Sequence, residues 1–295
     1  MADLLIRDVS DTSFWIAHHR AVETRRPDAL FRDPLAGRLA GKRGHDIAAG
    51  MPAQRMIGWT VVMRTCVIDE FILAAIRDGV ETVLNLGAGL DTRPYRMDLP
   101  ATILWIEADY PHIIKYKEGE LANEKPRCRL ERVKIDLADA GKRREFFSAI
   151  NARAGKILAL TEGVVPYLSV EQAASLADDL RALDQVRYWV VDYFSPDAMK
   201  IRRRNQMGRK MLNAPFLFDP VDWFGFFREH GWQAKEVRYL VGEGERLGRP
   251  IPLAWPIKAA AKIGILFIPK EKRQEMRRFA GYVSLEPAAV REPSR

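Results

Sequence analysis

The sequence predicts an α/β fold with a mostly parallel sheet covered by helices, and three observations support it. Five short runs are largely apolar with little alternation, which is typical of buried parallel strands. Segments with helical periodicity separate these runs, as crossover connections between parallel strands require. The first run ends in Gly87-Ala88-Gly89, a turn that lets the backbone approach a ligand closely.

The amino-terminal region from Ser10 to Gly50 has helical spacing and precedes the first strand. A turn at Arg32-Asp33-Pro34 is expected to break it into two parts. Because this region lies outside the sheet, it can fold over a bound ligand. Its candidate buried residues are Trp15, Ala17, Val22, Leu30 and Phe31.

A long amphipathic helix is predicted from Gln54 to Asp78, where apolar residues recur mostly at steps of three and four. Asp78-Gly79 ends this helix just before the first strand. The helix places Arg64 near the glycine turn.

Strands and helices then alternate. The predicted strands are Thr82–Leu86, Ile103–Glu107, Leu130–Ile135, Ile157–Thr161 and Arg187–Tyr193. The predicted helices are His112–Asn123, Lys142–Arg153 and Val170–Leu183. Ser169 is a plausible N-cap for the last helix, because Gln172 follows three residues later.

Beyond Tyr193 the pattern changes. Ser195-Pro196-Asp197 predicts the start of a helix that ends near Asn213 and lies above the carboxyl ends of the strands. A further helix is expected over Val221–His230. Two last strands, Gln233–Leu240 and Gly281–Leu285, are expected to complete the sheet.

Composition limits the classes of function. A chain of 295 residues with 47% hydrophobic residues can form a large core, and two cysteines favour a reducing, cytoplasmic compartment without a disulfide framework. The net charge of +8 is concentrated in Lys200–Lys210 and Lys270–Arg278. These stretches read as solvated helix faces, or as anchors for an acidic small substrate to which Arg20 and Arg204 could contribute. No interleaved aromatic residues indicate nucleic-acid binding.

No membrane span is expected. The most apolar late stretch, Ile251–Pro269, contains two lysines and three prolines and is too interrupted to cross a bilayer. It reads as a peripheral or lid helix. The first residues scatter acids among apolar side chains, so no signal-peptide core is expected there.

The glycine turn predicts a nucleotide site. Asp109, twenty positions after Gly89, ends the next strand and can accept hydrogen bonds from a ribose diol. Dinucleotide enzymes have a third glycine three residues after the second, and here that position is Thr92. A ligand with adenosine and no pyrophosphate fits better, and S-adenosyl-L-methionine is the commonest such cofactor.

The surrounding residues resemble the leucine carboxyl methyltransferase family, which includes O-methyltransferases of polyketide-like molecules. The likeness runs from about Ser13 to Asp192. Six blocks carry it in the family's order: Arg20–Ala36, Met63–Asp69, the glycine motif, Glu107–Lys117, Asp136-Leu137 and Thr161–Leu168. The residue before Arg64 departs from the pattern, because Met63 stands where relatives carry a small side chain.

The resemblance implies a Rossmann-like class I methyltransferase fold, with a seven-stranded, mostly parallel sheet and a helical cap. It implies one domain over residues 1–295. Its parts would be an amino-terminal cap (1–50), a cofactor-binding core (54–193) and lid insertions (194–220 and 242–276).

The resemblance also implies roles for individual residues. Arg64 would pair with the methionine carboxylate, the Gly87-Ala88-Gly89 turn would lie under the same part of the ligand, and Asp109 would hold the ribose. The other predicted cofactor-binding residues are Asp91, Glu107, Asp136, Leu137 and Glu162. The candidate catalytic residues are His18, His19, Tyr167 and Tyr193. No metal site is predicted.

The sequence thus predicts an S-adenosyl-L-methionine-dependent O-methyltransferase of a small, polyketide-like or aromatic acceptor. The acceptor could be acidic, and the protein could be a homodimer. An ionised carboxylate acceptor needs no base, whereas a phenol needs a group that takes its proton. Three alternatives remain: methylation of a protein carboxyl terminus, an NAD-dependent oxidoreductase on the same sheet, and a cofactor-binding regulator without turnover.

Overall fold

A computed structural model of the chain describes residues 5–204, 210–253 and 268–289, without the side chains of 202–204. A seven-stranded sheet runs through the described part. Its strands are β1 (Thr82–Leu86), β2 (Leu104–Asp109), β3 (Arg129–Lys134), β4 (Ile157–Thr161), β5 (Val186–Phe194), β6 (Trp232–Tyr239) and β7 (Ala280–Pro287).

The strand order is β3-β2-β1-β4-β5-β7-β6. The first five strands pair in parallel, and β7 is antiparallel to both of its neighbours. The order reverses between β1 and β4, which is where open α/β sheets bind ligands beyond the carboxyl ends of their strands. The predicted mostly parallel, seven-stranded sheet is confirmed.

Helices connect and cover the strands. They are α1 (Asp11–Thr24), α2 (Ala36–Gly50), α3 (Gln54–Arg77), α4 (Arg93–Arg96), α5 (Pro111–Glu120), α6 (Ala140–Asn151), α7 (Val170–Arg181), α8 (Pro196–Arg204), α9 (Trp223–Glu229), α10 (Leu240–Arg246) and α11 (Lys270–Arg277). A 3₁₀ turn covers Val165–Tyr167.

The two faces of the sheet form separate cores because successive strand residues point in opposite directions. Leu84 and Trp189 pack on the face covered by α6, α7 and α9. Their neighbours Val83 and Val190 pack on the face covered by α3. All four side chains are fully buried or nearly so. Strands buried on both faces explain why the sequence runs are continuous rather than alternating.

Most element predictions are confirmed, with small errors at the ends. β1 and β4 have the predicted bounds, and Ser169 caps α7 in a capping box with Gln172. Three details were wrong. Val22 is exposed on α1, the short helix α4 was missed, and the strand expected to reach Leu240 ends at Tyr239, where α10 takes over.

The helices α1 and α2, which we call the cap, lie at the amino-terminal side of the described chain. They pack against each other, and α1 also packs on α3, with Ala17 and Leu39 fully buried between them. In the described ranges, no helix combines the length and the apolar character that crossing a bilayer requires. Most of the predicted lid stretch Ile251–Pro269 falls outside those ranges, at 254–267.

Candidate active site

A cavity of about 350 Å³ opens at the carboxyl ends of the strands, beneath the cap. Its walls come from α1, α3, the turns after β1, β2, β3 and β4, the last residues of β5, the segment 210–220 and β7. Its size falls within the range of small-molecule sites.

The glycine turn forms one wall. Gly87 has φ +68° and Gly89 has φ +48°, in the left-handed region that side-chain-bearing residues rarely adopt. A Cβ on Gly87 would also overlap Cγ2 of Val164, which follows β4. The turn therefore requires glycine both for its conformation and for its close approach to the neighbouring loop.

Asp109 lies opposite this turn, because Leu86 pairs with Ala108 in the β1–β2 register. Its carboxylate accepts the N–H of Gly89 and the N–H of Tyr110, both at 2.6 Å. Burial raises the pKa of Asp109, although the two hydrogen bonds oppose the shift. The carboxylate is thus fixed in the cavity wall by backbone donors.

The backbone after the turn offers no free helix terminus. Helix α4 has four residues, and its first amide, the N–H of Arg93, donates to Asp91 Oδ1 at 3.0 Å. The other oxygen of Asp91 accepts from Asn85 at 2.9 Å. A helix start whose donor is already bound by a carboxylate cannot hold a diphosphate in the way of a dinucleotide site.

A chain of buried charges crosses the floor of the cavity. Arg64 Nε lies 2.7 Å from Glu162 Oε1, and Arg93 donates to Glu162 Oε2 at 2.6 Å. Arg93 also pairs with Asp91 and with Asp69. Although burial opposes ionisation, Arg93 and Arg64 lower the pKa of Glu162, and Arg93 lowers that of Asp91. These carboxylates are therefore held ionised.

Asp192, near the end of β5, forms a second polar group in the wall. It accepts the N–H of Gly163 at 2.8 Å and the hydroxyl of Tyr282, on β7, at 3.0 Å. Burial raises its pKa to about 6, and Arg64 and the two hydrogen bonds oppose that shift. Asp192 therefore differs from its neighbour Glu162, whose pKa is lowered.

The cap is fastened to the glycine segment by buried hydrogen bonds. Arg20 on α1 donates to Asp33 at 2.9 Å and to the carbonyl of Leu90 at 2.5 Å. Thr92 donates to the same Asp33 carboxylate at 2.6 Å. Arg20 is thus a structural residue here, and the expected role as a free anchor for an acidic substrate is not supported. The side chain of Arg204 lies outside the described residues.

The remaining wall is aromatic and apolar. Tyr167 and Phe216 meet edge to face with ring centroids 4.8 Å apart, and Phe194 packs on Phe216 at 5.7 Å. Met211 and Ile57 line the same part. Flat aromatic groups pack well against such surfaces.

Most predicted cofactor-binding residues line this cavity. They are Arg64, Gly87, Ala88, Gly89, Asp91, Asp109, Asp136, Leu137 and Glu162. Glu107 does not line it. It lies on β2 two residues before Asp109, and its carboxylate is fully buried. There it pairs with Lys117 at 2.7 Å and with Arg132 at 2.9 Å. Glu107 therefore ties β2 to α5 and β3.

Of the four candidate catalytic residues, only Tyr167 lines the cavity. His19 is buried against Gly58 of α3, where burial lowers its pKa to about 4, and His18 packs against His45. Tyr193 packs among aromatic residues including Trp223 on the opposite face of the sheet. The structure therefore does not bring these three residues to the cavity.

Several wall residues were missed from the sequence. Asp192 was named only as the last residue of the family resemblance and not as a site residue. An acid near the end of a strand is nevertheless the same signal that identified Asp109. Tyr282 and Phe216 come from carboxy-terminal segments without a diagnostic motif. Helical phase could have identified Ser13 and Ile16, since both lie on the Arg20 side of α1 and line the cavity.

Comparison with known proteins is consistent with this geometry. Residues 13–181 match the family model described as leucine carboxyl methyltransferase. A protein of Mycobacteroides abscessus is 30% identical over 282 residues, covering 82% of this chain and 90% of its own length. A Parafrankia protein is 31% identical over 268 residues, covering 84% of both chains. The names of both proteins describe them as inferred S-adenosyl-L-methionine-dependent methyltransferases.

Solved structures support the fold. A protein from Thermobifida fusca, described as an inferred methyltransferase, superposes with a TM-score of 0.57 at 12% identity and covers 97% of both chains. A DUF574 family protein from Streptomyces avermitilis has a TM-score of 0.50 at 15% identity, covering 92% of this chain and 97% of its own. At these identities the likeness concerns the fold alone.

Proposed function

Because the chain belongs to the leucine carboxyl methyltransferase family, we propose that this cavity binds S-adenosyl-L-methionine and an oxygen nucleophile of a small aromatic molecule. The cofactor is S-adenosyl-L-methionine, and the chain is a methyltransferase. Transfer to oxygen and the class of acceptor are the proposed parts.

One observation carries the proposal: a glycine turn and a buried ribose-type acid share a wall without a diphosphate site. Asp109 is held by backbone donors, and each of its oxygens keeps a lone pair for a ribose hydroxyl. Asp91 already binds the first amide of α4. This arrangement supports an adenosine ligand that carries no pyrophosphate.

The charge of the cavity supports a cationic ligand. Of the described residues, five carboxylates and two guanidiniums line it. They are Asp91, Asp109, Asp136, Glu162, Asp192, Arg20 and Arg64. An excess of negative charge in a cleft raises the local concentration of a cation such as a sulfonium.

The proposed roles follow from position. Asp136 and Leu137 flank the adenine side, where Ile113 and Ile135 supply an apolar wall. Arg64 and Glu162 offer one group of each sign to the zwitterionic end of the cofactor.

When bound, the cofactor supplies an electrophilic methyl group. The protein's task is to hold the acceptor oxygen in line with it at about 3–3.5 Å and to exclude water. Tyr167 and Phe216 would orient a flat acceptor beneath the cap for this purpose.

Calorimetry with S-adenosylhomocysteine and NAD⁺ tests the cofactor site. We expect binding of the homocysteine product alone. Asp109→Ala should weaken it by about 1–3 kcal/mol because buried hydroxyl partners are lost. Asp46→Ala, which removes an exposed carboxylate on α2, is the matched control and should leave affinity unchanged. Tight binding of NAD⁺ without the homocysteine product would overturn the proposal.

Mass spectrometry with methyl-labelled cofactor and a library of acids and phenols tests the reaction. The expected product gains one labelled methyl group on oxygen. Products labelled only on nitrogen or carbon would contradict transfer to oxygen, while the cofactor assignment would stand.

A further inference from the structure

The acceptor end of the cavity differs chemically from the cofactor end. Tyr167, Phe194 and Phe216 form an aromatic wall there, and Met211 extends it. Such a wall favours a planar, apolar molecule.

Its charges disfavour an anionic acceptor. Among the described residues, two guanidiniums line the cavity: Arg20 is paired with Asp33, and Arg64, which lies 2.7 Å from Glu162, is the group proposed to pair with the carboxylate of the cofactor. A carboxylate entering this wall would meet the carboxylates of Glu162 and Asp192 and lose its hydration without a new cationic partner. A neutral hydroxyl avoids this cost.

Asp192 is the acid suited to receive a hydroxyl. It is 3% exposed, lines the cavity and is fixed by Gly163 on one oxygen and by Tyr282 on the other. Each carboxylate oxygen has two lone pairs, so one remains on each after these bonds. Phe194, which lies two residues further along β5, forms part of the aromatic wall.

We propose that the acceptor is a neutral aromatic hydroxyl and that Asp192 is the catalytic base that takes its proton. This inference rests on the proposed methyltransferase function. It adds both the class of acceptor and a residue that the sequence had not identified as part of the site.

The step balances without another reactant. The hydroxyl oxygen forms a bond to the methyl carbon while the carbon–sulfur bond breaks, and the electron pair of that bond stays on sulfur. The hydroxyl proton passes to Asp192 and later returns to solvent. The groups that face Asp192 are Arg64 from α3, Glu162 after β4 and Tyr282 from β7.

The first test uses phenols of different acidity as probes. With Asp192→Asn, methylation of 2-naphthol should fall by about 10²–10⁴-fold, the usual contribution of a general base. Methylation of 4-nitrophenol, assayed above the titration midpoint of the bound phenol, should fall by less than about tenfold because the proton has already left. Tyr282→Phe keeps the carboxylate and should affect both probes equally. Equal losses for both probes in Asp192→Asn would indicate a purely structural role.

The second test does not depend on turnover. The absorbance of 4-nitrophenol bound beside S-adenosylhomocysteine reports whether the phenol is ionised. In the wild type its titration midpoint should lie about 1 pH unit or more above that of free 4-nitrophenol, because a neighbouring carboxylate disfavours the phenolate. Asp192→Asn should return the midpoint towards the free value. The same midpoint in both proteins would overturn the inference.

A comparison of acids separates this inference from the proposed function. Methylation of 2-naphthoic acid in preference to 2-naphthol would refute the hydroxyl acceptor and leave O-methyl transfer intact. If neither is methylated, the titration of bound 4-nitrophenol decides. Failure of S-adenosylhomocysteine to bind the wild type would instead refute the proposed function itself.

Discussion

Gly87→Ala tests whether the turn after β1 needs glycine as strictly as its geometry indicates. Alanine at φ +68° should cost about 1–2 kcal/mol for the left-handed conformation. The added Cβ would also overlap Cγ2 of Val164, and overpacking typically costs about 1–3 kcal/mol. We expect a loss of about 2–5 kcal/mol in the free energy of unfolding, measured by urea denaturation followed by circular dichroism.

A double-mutant cycle with Val164→Ala separates the two causes. Removing Cγ2 should restore the overlap part of about 1–3 kcal/mol and leave the conformational part. Gly119→Ala is the matched control. This glycine is exposed in α5, and apart from its own helix no atom lies within 4 Å of the position that a Cβ would take, so alanine should stabilise by about 0.5–1 kcal/mol. Wild-type stability of Gly87→Ala, or no coupling with Val164→Ala, would refute this reasoning.

Three further outcomes are expected. Arg64→Ala should weaken S-adenosylhomocysteine binding by about 1.5–3 kcal/mol in calorimetry, whereas Arg55→Ala, on the exposed face of the same helix, should not. Lys117→Met should destabilise the protein by about 3–5 kcal/mol, because it removes a cation from a fully buried ion pair. The control Lys134→Met, which removes a cation from an exposed pair, should cost less than about 1 kcal/mol. Urea denaturation measures both. Asp192 binds its proton more tightly in the folded protein, since its pKa of about 6 exceeds the ordinary 3.8, so its stabilising contribution is complete below pH 3.8 and is lost as the pH rises through 6. Urea denaturation should therefore show the stability of Asp192→Asn relative to wild type rising by about 2–3 kcal/mol between pH 4 and pH 7.5, and a constant difference would contradict the raised pKa.

Most residues that the sequence assigned to cofactor binding do line the cavity, because the signals that identify them are local. Gly87 and Asp109 stand at the ends of adjacent strands, and the β1–β2 register brings them together without further information. The long helix α3 brings Arg64 to the same cavity. The local sequence pattern was sufficient to identify cavity residues wherever the end of one strand and the loop after it form the cavity wall.

The differences from the prediction arise where the direction of a side chain decides whether a residue lines the cavity. Tyr193 and Asp192 are neighbours on β5, and their side chains point to opposite faces of the sheet. The prediction chose Tyr193, which lies in the core, and missed Asp192, which lines the cavity. Glu107 has the same orientation as Asp109 but lies two residues earlier, where Lys117 covers it. On α1, the helical repeat turns His19 towards α3 instead of the cavity.

The aromatic wall formed by Tyr167, Phe194 and Phe216 could not be predicted because it is assembled from distant segments. Phe216 meets Tyr167 across a loop of unrelated sequence, and Tyr282 reaches Asp192 from the antiparallel strand β7. Only the tertiary fold juxtaposes them, and no spacing in the sequence records that contact.

The link between Arg20, Asp33 and Thr92 has a consequence for how molecules enter and leave. Separating this buried guanidinium from its carboxylate would cost several kcal/mol, so α1 and the glycine segment should travel as one rigid unit. Product and fresh cofactor would then have to leave and enter the cavity without α1 separating from the glycine segment.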